Sequence, residues 1–62
     1  MTPTFMYGPK DGSPVPEPLW ALDVIELAHR ISPKQTIIYY YELNNDDKNW
    51  YFKGQVEEEN DA

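Results

Sequence analysis

Two aromatic-rich runs on either side of a polar connector constrain the fold of this chain more than any other feature. The runs are TIIYYYEL at 36–43 and WYFKGQVE at 50–57, and the connector is NNDDKN. Branched and aromatic side chains suit the pleated, half-buried surface of a sheet. Asn and Asp tolerate left-handed backbone and bond their own main chain, which favours a reversal. The pattern predicts a β-hairpin whose loop is longer than a two-residue turn.

Alternation along the hairpin assigns the two faces of the predicted sheet, because successive side chains of a strand point to opposite sides. In the first run the more apolar face carries Ile37, Tyr39, Tyr41 and Leu43. In the second run the predicted core side chains are Trp50, Phe52 and Val56. The opposite face then carries Ile38 and Tyr40, with Tyr51 across the hairpin.

Composition limits the size of the core and the class of partner. Sixty-two residues form one domain near the lower limit of stability, and the absence of Cys excludes disulfides and thiolate metal sites. Eleven acidic residues against five basic give a net charge of −6, which disfavours nucleic acid and anionic membranes. No apolar run approaches the roughly 20 residues of a membrane span, and we expect a cytoplasmic protein.

The first third of the chain is dominated by turns. Residues 4–7 are a strand candidate. The sequence GPKDG follows them, and its Pro and Gly favour a tight reversal. Pro14, Pro16 and Pro18 then remove three backbone donors at alternate positions. This spacing predicts an extended connector rather than a central strand.

Residues 19–31 have an amphipathic pattern at helical spacing. Asp23, Glu26 and Arg30 fall within a narrow arc at 100° per residue, and the apolar side chains occupy the opposite side. Pro18 suits a first helical position, and Pro33 lies just past a plausible end. The pattern favours a helix over 19–31. The alternative is a strand at 24–29, although Val24 and Ile25 would then point to opposite faces.

These elements predict a small two-layer α+β domain. One helix at 19–31 covers a three-stranded antiparallel sheet formed by residues 4–7, 36–43 and 50–56. The alternative architecture is an all-β meander with 24–29 as a strand. The domain spans residues 1–56, and the acidic residues 57–62 have no apolar side chain larger than Ala, which predicts a flexible tail.

The pieces GPKDG, VPEP, YYYEL and WYFKG together resemble a pattern in small uncharacterised proteins of phages and bacteria. Those proteins combine a Gly-Pro-x-Asp-Gly turn near the start with a late aromatic hairpin. The resemblance spans most of residues 5–54. It implies a fold, often all-β through the middle, and no known activity.

Candidate catalytic residues have simpler structural explanations. His29 is the only histidine and lies beside Arg30, and Asp11 before Gly12 is typical of a turn. The connector fails the calcium-loop spacing in both possible registers, and no nucleophile motif accompanies Ser13 or Ser32. We expect no metal and no cofactor. A small enzyme using His29 and Asp11 is the third of three functional hypotheses.

The leading hypothesis is a non-enzymatic protein-interaction module that exists as a monomer or weak homodimer. Its candidate contact residues are Ile38, Tyr40 and Tyr51, because exposed tyrosines commonly anchor interfaces. The partner would be a protein with a basic surface or an apolar patch. The alternative is an acidic inhibitor that mimics nucleic acid through carboxylates at 57–61 and at Asp46 and Asp47, and so blocks a DNA- or RNA-binding protein.

Overall fold

The computed structural model describes residues 2–59, and these form a single mixed β-sheet. The strands are β1 (Phe5–Met6), β2 (Val24–Ser32), β3 (Gln35–Leu43) and β4 (Trp50–Glu59), and short 3₁₀ helices span Gly8–Lys10 and Glu17–Leu19. The strand order is β1-β4-β3-β2. The predicted α+β class is therefore wrong, because residues 2–59 contain no α-helix.

The segment predicted as a helix, residues 19–31, contains most of β2. This strand pairs antiparallel with β3 over its length, with Ile25 opposite Tyr41 and Leu27 opposite Tyr39. Apolar side chains lie on both faces of the sheet here, so the sequence lacks the alternation of a one-sided strand. Cross-strand packing outweighs the helix preference of Leu and Ala. The alternative strand at 24–29 lies within β2.

The sheet also differs from the predicted three-stranded antiparallel arrangement. The hairpin expected from 36–43 and 50–56 is present as β3 and β4, which pair antiparallel. β2 adds a fourth strand beside β3. β1 is limited to two residues and runs parallel to β4, with Phe5 opposite Trp50. The first strand is thus a short cap on one edge of the sheet.

β4 continues beyond the expected boundary at residue 56. Glu57, Glu58 and Glu59 pair with Ile37, Thr36 and Gln35 of β3. The tail expected at 57–62 therefore begins inside a strand in this structure. Its remaining residues, 60–62, lie outside the described part of the chain.

The core is small and lies on one side of the sheet. Its buried side chains are Phe5, Val15, Ile25, Tyr41 and Trp50, and Leu19, Leu27, Tyr39, Leu43 and Phe52 pack against them. The connection between β1 and β2 supplies Val15 and Leu19. The Trp50 indole N–H donates to the Leu22 carbonyl at 3.1 Å, which ties this connection to the sheet.

A β-bulge in β4 corrects the predicted core. Tyr41 pairs with Phe52, but Tyr40 pairs with Gly54, so Lys53 is an extra residue in β4. The bulge reverses the alternation, because one inserted residue moves every later side chain to the other face. Trp50 is buried and Phe52 packs against the core as predicted, whereas Val56 lies on the opposite face and is 48% exposed.

Candidate interaction surface

The sheet is longer than the core that it carries. On the three long strands, the core ends at Leu27 of β2, Tyr39 of β3 and Phe52 of β4. The strands continue as residues 28–32, 35–38 and 54–59, which we call the distal sheet. The molecule is correspondingly elongated, with extents of 41 × 20 × 17 Å. No residue of the distal sheet belongs to the core cluster.

The side of the sheet away from the core carries a continuous apolar surface, which we call the open face. It is formed by Ala28, Ile38, Tyr40, Gly54 and Val56, and the Glu26 carboxylate borders it. Ala28 and Val56 lie directly across from Ile38 on the two flanking strands. Ile38 and Tyr40 remain only half-buried although they lie on the central strand. Within residues 2–59, no second layer covers them.

The row that contains Tyr40 is less crowded than the row that contains Ile38. Glu26 lies across from Tyr40 on β2, and Gly54 lies across from it on β4. A Cβ atom added at Gly54 would meet no atom within 4 Å. The Tyr40 ring is therefore flanked by open space on the β4 side, where a partner side chain has room to pack.

The structure brings together two of the three predicted contact residues. Ile38 and Tyr40 share the open face two positions apart on β3. Tyr51 lies on the same side near the start of β4, opposite Glu42. Its hydroxyl donates a short hydrogen bond to the Asp47 carboxylate, and its ring lies 5.9 Å from that of Tyr7. These contacts give Tyr51 a structural role beside the β3–β4 loop.

Electrostatics at the loop reflect this hydrogen bond. The Tyr51 hydroxyl, followed by the Asn49 backbone N–H, lowers the pKa of the Asp47 carboxyl below its ordinary value. The same bond raises the pKa of Tyr51 above its ordinary value, because the protonated phenol is the donor. The hydrogen bond thus links Asp47 of the loop to Tyr51 near the start of β4.

Val56 is the open-face residue that the sequence prediction missed. Strict alternation placed it with Trp50 and Phe52 in the core, and the bulge at Lys53 moves it to the open face beside Ile38. The signal in the sequence was Gly54, since glycine inside a strand often marks a bulge. Its φ of 155° is a value that L side chains rarely adopt.

His29 and Asp11 lie in different surroundings. His29 lines a cavity of about 320 Å³ on the core side of the sheet, together with Lys10, Leu27 and Tyr39. The Asp11 carboxylate accepts a hydrogen bond from the Tyr7 backbone N–H at 2.7 Å and closes the turn there. No hydrogen bond joins His29 and Asp11 within residues 2–59.

Neither metal ligands nor a membrane-spanning helix is found in the described chain. Residues 2–59 contain no group of three or more His, Asp or Glu side chains arranged to hold an ion. No helix among them is long and apolar enough to span a bilayer.

Comparison with protein-family models, curated proteins and solved structures finds no match to this chain. The resemblance to small phage and bacterial proteins therefore stays a prediction.

Proposed function

We propose that this chain is a non-enzymatic protein-interaction module that contacts its partner through the open face. The observation that supports this proposal is the row of Ala28, Ile38 and Val56, which lie side by side on three strands without cover from residues 2–59. Tyr40 adds an aromatic side chain next to this row. Tyrosine provides a large contact area with few rotatable bonds, and it is enriched at interface centres.

The dimensions of the open face indicate a modest interface. A nine-residue strand such as β3 spans about 30 Å, and three strands extend over roughly 10 Å between their axes. A stable interface buries about 800 Å² on each partner, which is a substantial part of the 4584 Å² surface of this molecule. We therefore expect reversible binding rather than a permanent complex.

Charge suggests the chemistry of the partner. The apolar row is bordered on the open face by carboxylates at Glu26 and Glu58, with Arg30 as the basic neighbour on β2. The chain as a whole carries a net charge of −6. The fitting partner is a protein with an apolar centre and a basic rim, since complementary potentials steer association and select orientation.

Mimicry of nucleic acid receives less support. Asp46 and Asp47 lie in the β3–β4 loop, whereas Glu57 to Glu59 lie at the far end of β4. Alternation places Glu58 on the opposite face from Glu57 and Glu59. A phosphate mimic requires carboxylates aligned along one surface, because phosphates follow each other closely along a duplex. The Asp47 carboxylate is also occupied by Tyr51 and Asn49.

Adjacent isoleucines provide a matched test of the proposal. The immobilised chain would be used to capture a partner from host extract, and binding of that purified partner would then be measured for Ile38→Thr and Ile37→Thr. The two substitutions make the same chemical change on opposite faces of β3. We expect Ile38→Thr and Tyr40→Ser to lose most of the affinity and Ile37→Thr to keep it. Circular dichroism would confirm folding of each variant.

Charge mimicry predicts a different result in the same assay. A variant with Glu57, Glu58 and Glu59 all changed to Gln removes the distal carboxylates and keeps the strand length. We expect this variant to keep most of its affinity, because a rim charge such as Glu58 acts mainly on the association rate, and binding of the unmodified chain to persist at high salt. Loss of binding in the Gln variant, with normal binding by Ile38→Thr, would overturn the proposal in favour of mimicry.

A further inference from the structure

β2 forms an open edge of the sheet. It is the last strand in the order β1-β4-β3-β2, and within residues 2–59 β3 is its one partner strand. About every second residue of Val24–Ser32 therefore directs its backbone N–H and C=O groups toward the open edge. Such an edge is a template for pairing with another strand unless Pro, Lys or a bulge protects it. β2 contains neither Pro nor Lys, and its one irregularity lies at its end, between Arg30 and Ser32.

The other edge of the sheet, formed by β1 and β4, is better protected than β2. β1 covers the start of β4, and the remainder of β4 carries the bulge at Lys53 and three consecutive glutamates. A second acidic chain would be repelled there, because like charges in direct opposition destabilise a strand pair. β2 carries one charge of each sign, Glu26 and Arg30, both exposed.

The spacing of these two charges makes β2 complementary to itself. In a two-fold antiparallel pair, the residue numbers of opposing positions have a constant and even sum. When the axis passes through Ala28, Glu26 of each strand lies opposite Arg30 of the other. An axis through Leu27 or His29 places Ala28 opposite Glu26 or Arg30. An axis through Glu26 or Arg30 opposes like charges.

We infer that two copies of this chain associate through β2 in the register centred on Ala28. Antiparallel pairing closes the edge with main-chain hydrogen bonds and forms two Glu26–Arg30 ion pairs related by the dimer axis. Ala28, the smallest side chain of β2, lies at the axis.

The hydrogen bonds within one chain are compatible with this pairing. The Glu26 carboxylate has no partner among residues 2–59. Arg30 donates from Nη2 to the Pro33 carbonyl at 2.8 Å and from Nε to the Ser32 carbonyl at 3.3 Å. Its Nη1 group keeps two donors for a carboxylate of the second copy. The turn contacts also hold the Arg30 side chain near the end of β2.

Dimerisation extends the sheet without covering the open face. The rows that contain Ala28 and Ile38 in the two copies become continuous across the dimer axis. This inference does not rest on the proposed function, because it concerns the edge of β2 rather than a face of the sheet.

Charge reversal tests the proposed register in the full chain. Sedimentation equilibrium over a concentration series would give the dimer dissociation constant of the unmodified protein, Glu26→Arg, Arg30→Glu and the double variant that exchanges both charges. Each single reversal turns two attractive pairs into two repulsive pairs. We expect each to weaken the dimer at least about tenfold, and the double variant to recover most of this loss.

Mixing the two single variants provides a readout that does not depend on their homodimers. One variant carries two basic residues at positions 26 and 30, and the other carries two acidic residues. We expect an equimolar mixture to form a heterodimer more tightly than either variant associates alone. A monomeric unmodified protein throughout the series, no effect of single reversal, or failure of both rescue by the double variant and heterodimer formation would overturn the inference.

Discussion

The buried hydroxyl of Tyr41 donates a hydrogen bond to the Tyr7 carbonyl at 2.8 Å. The same hydroxyl accepts a bond from the Lys10 backbone N–H at 3.0 Å. One side chain of the central strand thus holds both ends of the turn that follows β1. Tyr41→Phe would leave both backbone groups without this partner and should lower the free energy of unfolding by about 1 to 3 kcal/mol. Urea denaturation would measure the loss.

Tyr39 provides the matched control for Tyr41. It lies on the same face of β3, but its hydroxyl makes no hydrogen bond within residues 2–59. Tyr39→Phe removes the same oxygen and should change stability by no more than about 0.5 kcal/mol. Equal losses in the two variants would show that the Tyr41 hydroxyl does not hold the turn.

Substitutions at Gly8 and Gly12 distinguish the stability cost of a steric clash from the cost of backbone strain. Both have positive φ, 68° and 80°. A Cβ at Gly8 would lie 2.6 Å from Phe52 Cγ and 2.7 Å from the Tyr41 hydroxyl oxygen, whereas a Cβ at Gly12 would meet nothing within 4 Å. Gly12→Ala should cost about 1 to 2 kcal/mol from backbone conformation alone. Gly8→Ala should cost a further roughly 1 to 3 kcal/mol from overpacking. Similar stabilities of the two variants in urea would contradict this packing.

The bulge at Lys53 should depend on Gly54. Its φ of 155° disfavours an L side chain, although the space around it is open. Gly54→Ala should therefore destabilise the protein by about 1 to 3 kcal/mol through strain. In the unmodified protein, methyl NOEs should connect Val56 with Ile38 across the open face. NOEs from Val56 to the Tyr39 ring instead would mean that the bulge is absent.

Acid titration should reveal the contact between Tyr51 and Asp47. The Tyr51 hydroxyl is the main cause of the lowered pKa of Asp47. A lowered folded-state pKa contributes stability above the unfolded-state pKa, and this contribution is lost as pH falls through the folded value. Tyr51→Phe should raise the pKa of Asp47 toward its ordinary value, as measured by carboxyl NMR. Tyr40→Phe, whose hydroxyl has no partner in residues 2–59, should leave that pKa unchanged.

The hairpin could be predicted from the sequence because its signals are local. Branched and aromatic residues fill β3 and the start of β4, and the connector between them is rich in Asn and Asp. Trp50 was predicted in the core for the same reason. These features depend on neighbours in sequence and on simple alternation.

The strand structure of β2 and the face on which Val56 lies depend on contacts between residues that are distant in sequence. The sequence of β2 alone predicts an amphipathic helix. The segment forms a strand because Ile25 to Arg30 pair with β3. Val56 changes face because Lys53 is inserted opposite the Tyr40–Tyr41 step. The three predicted contact residues, Ile38, Tyr40 and Tyr51, lie on one side of the sheet, where Val56 lies beside Ile38 and Tyr51 is hydrogen-bonded to Asp47 of the loop.

Photo-crosslinking from two adjacent positions would test the proposed contact surface most directly. A photoreactive phenylalanine analogue would replace Tyr40 on the open face or Tyr39, which packs toward Phe52 on the core face with ring centroids 6.4 Å apart. Irradiation in host extract should give a discrete adduct of higher mass from position 40 and not from position 39, and Ile38→Thr should abolish that adduct. An adduct from position 39 alone, or equal adducts that survive Ile38→Thr, would contradict the assignment of the open face as the interaction surface.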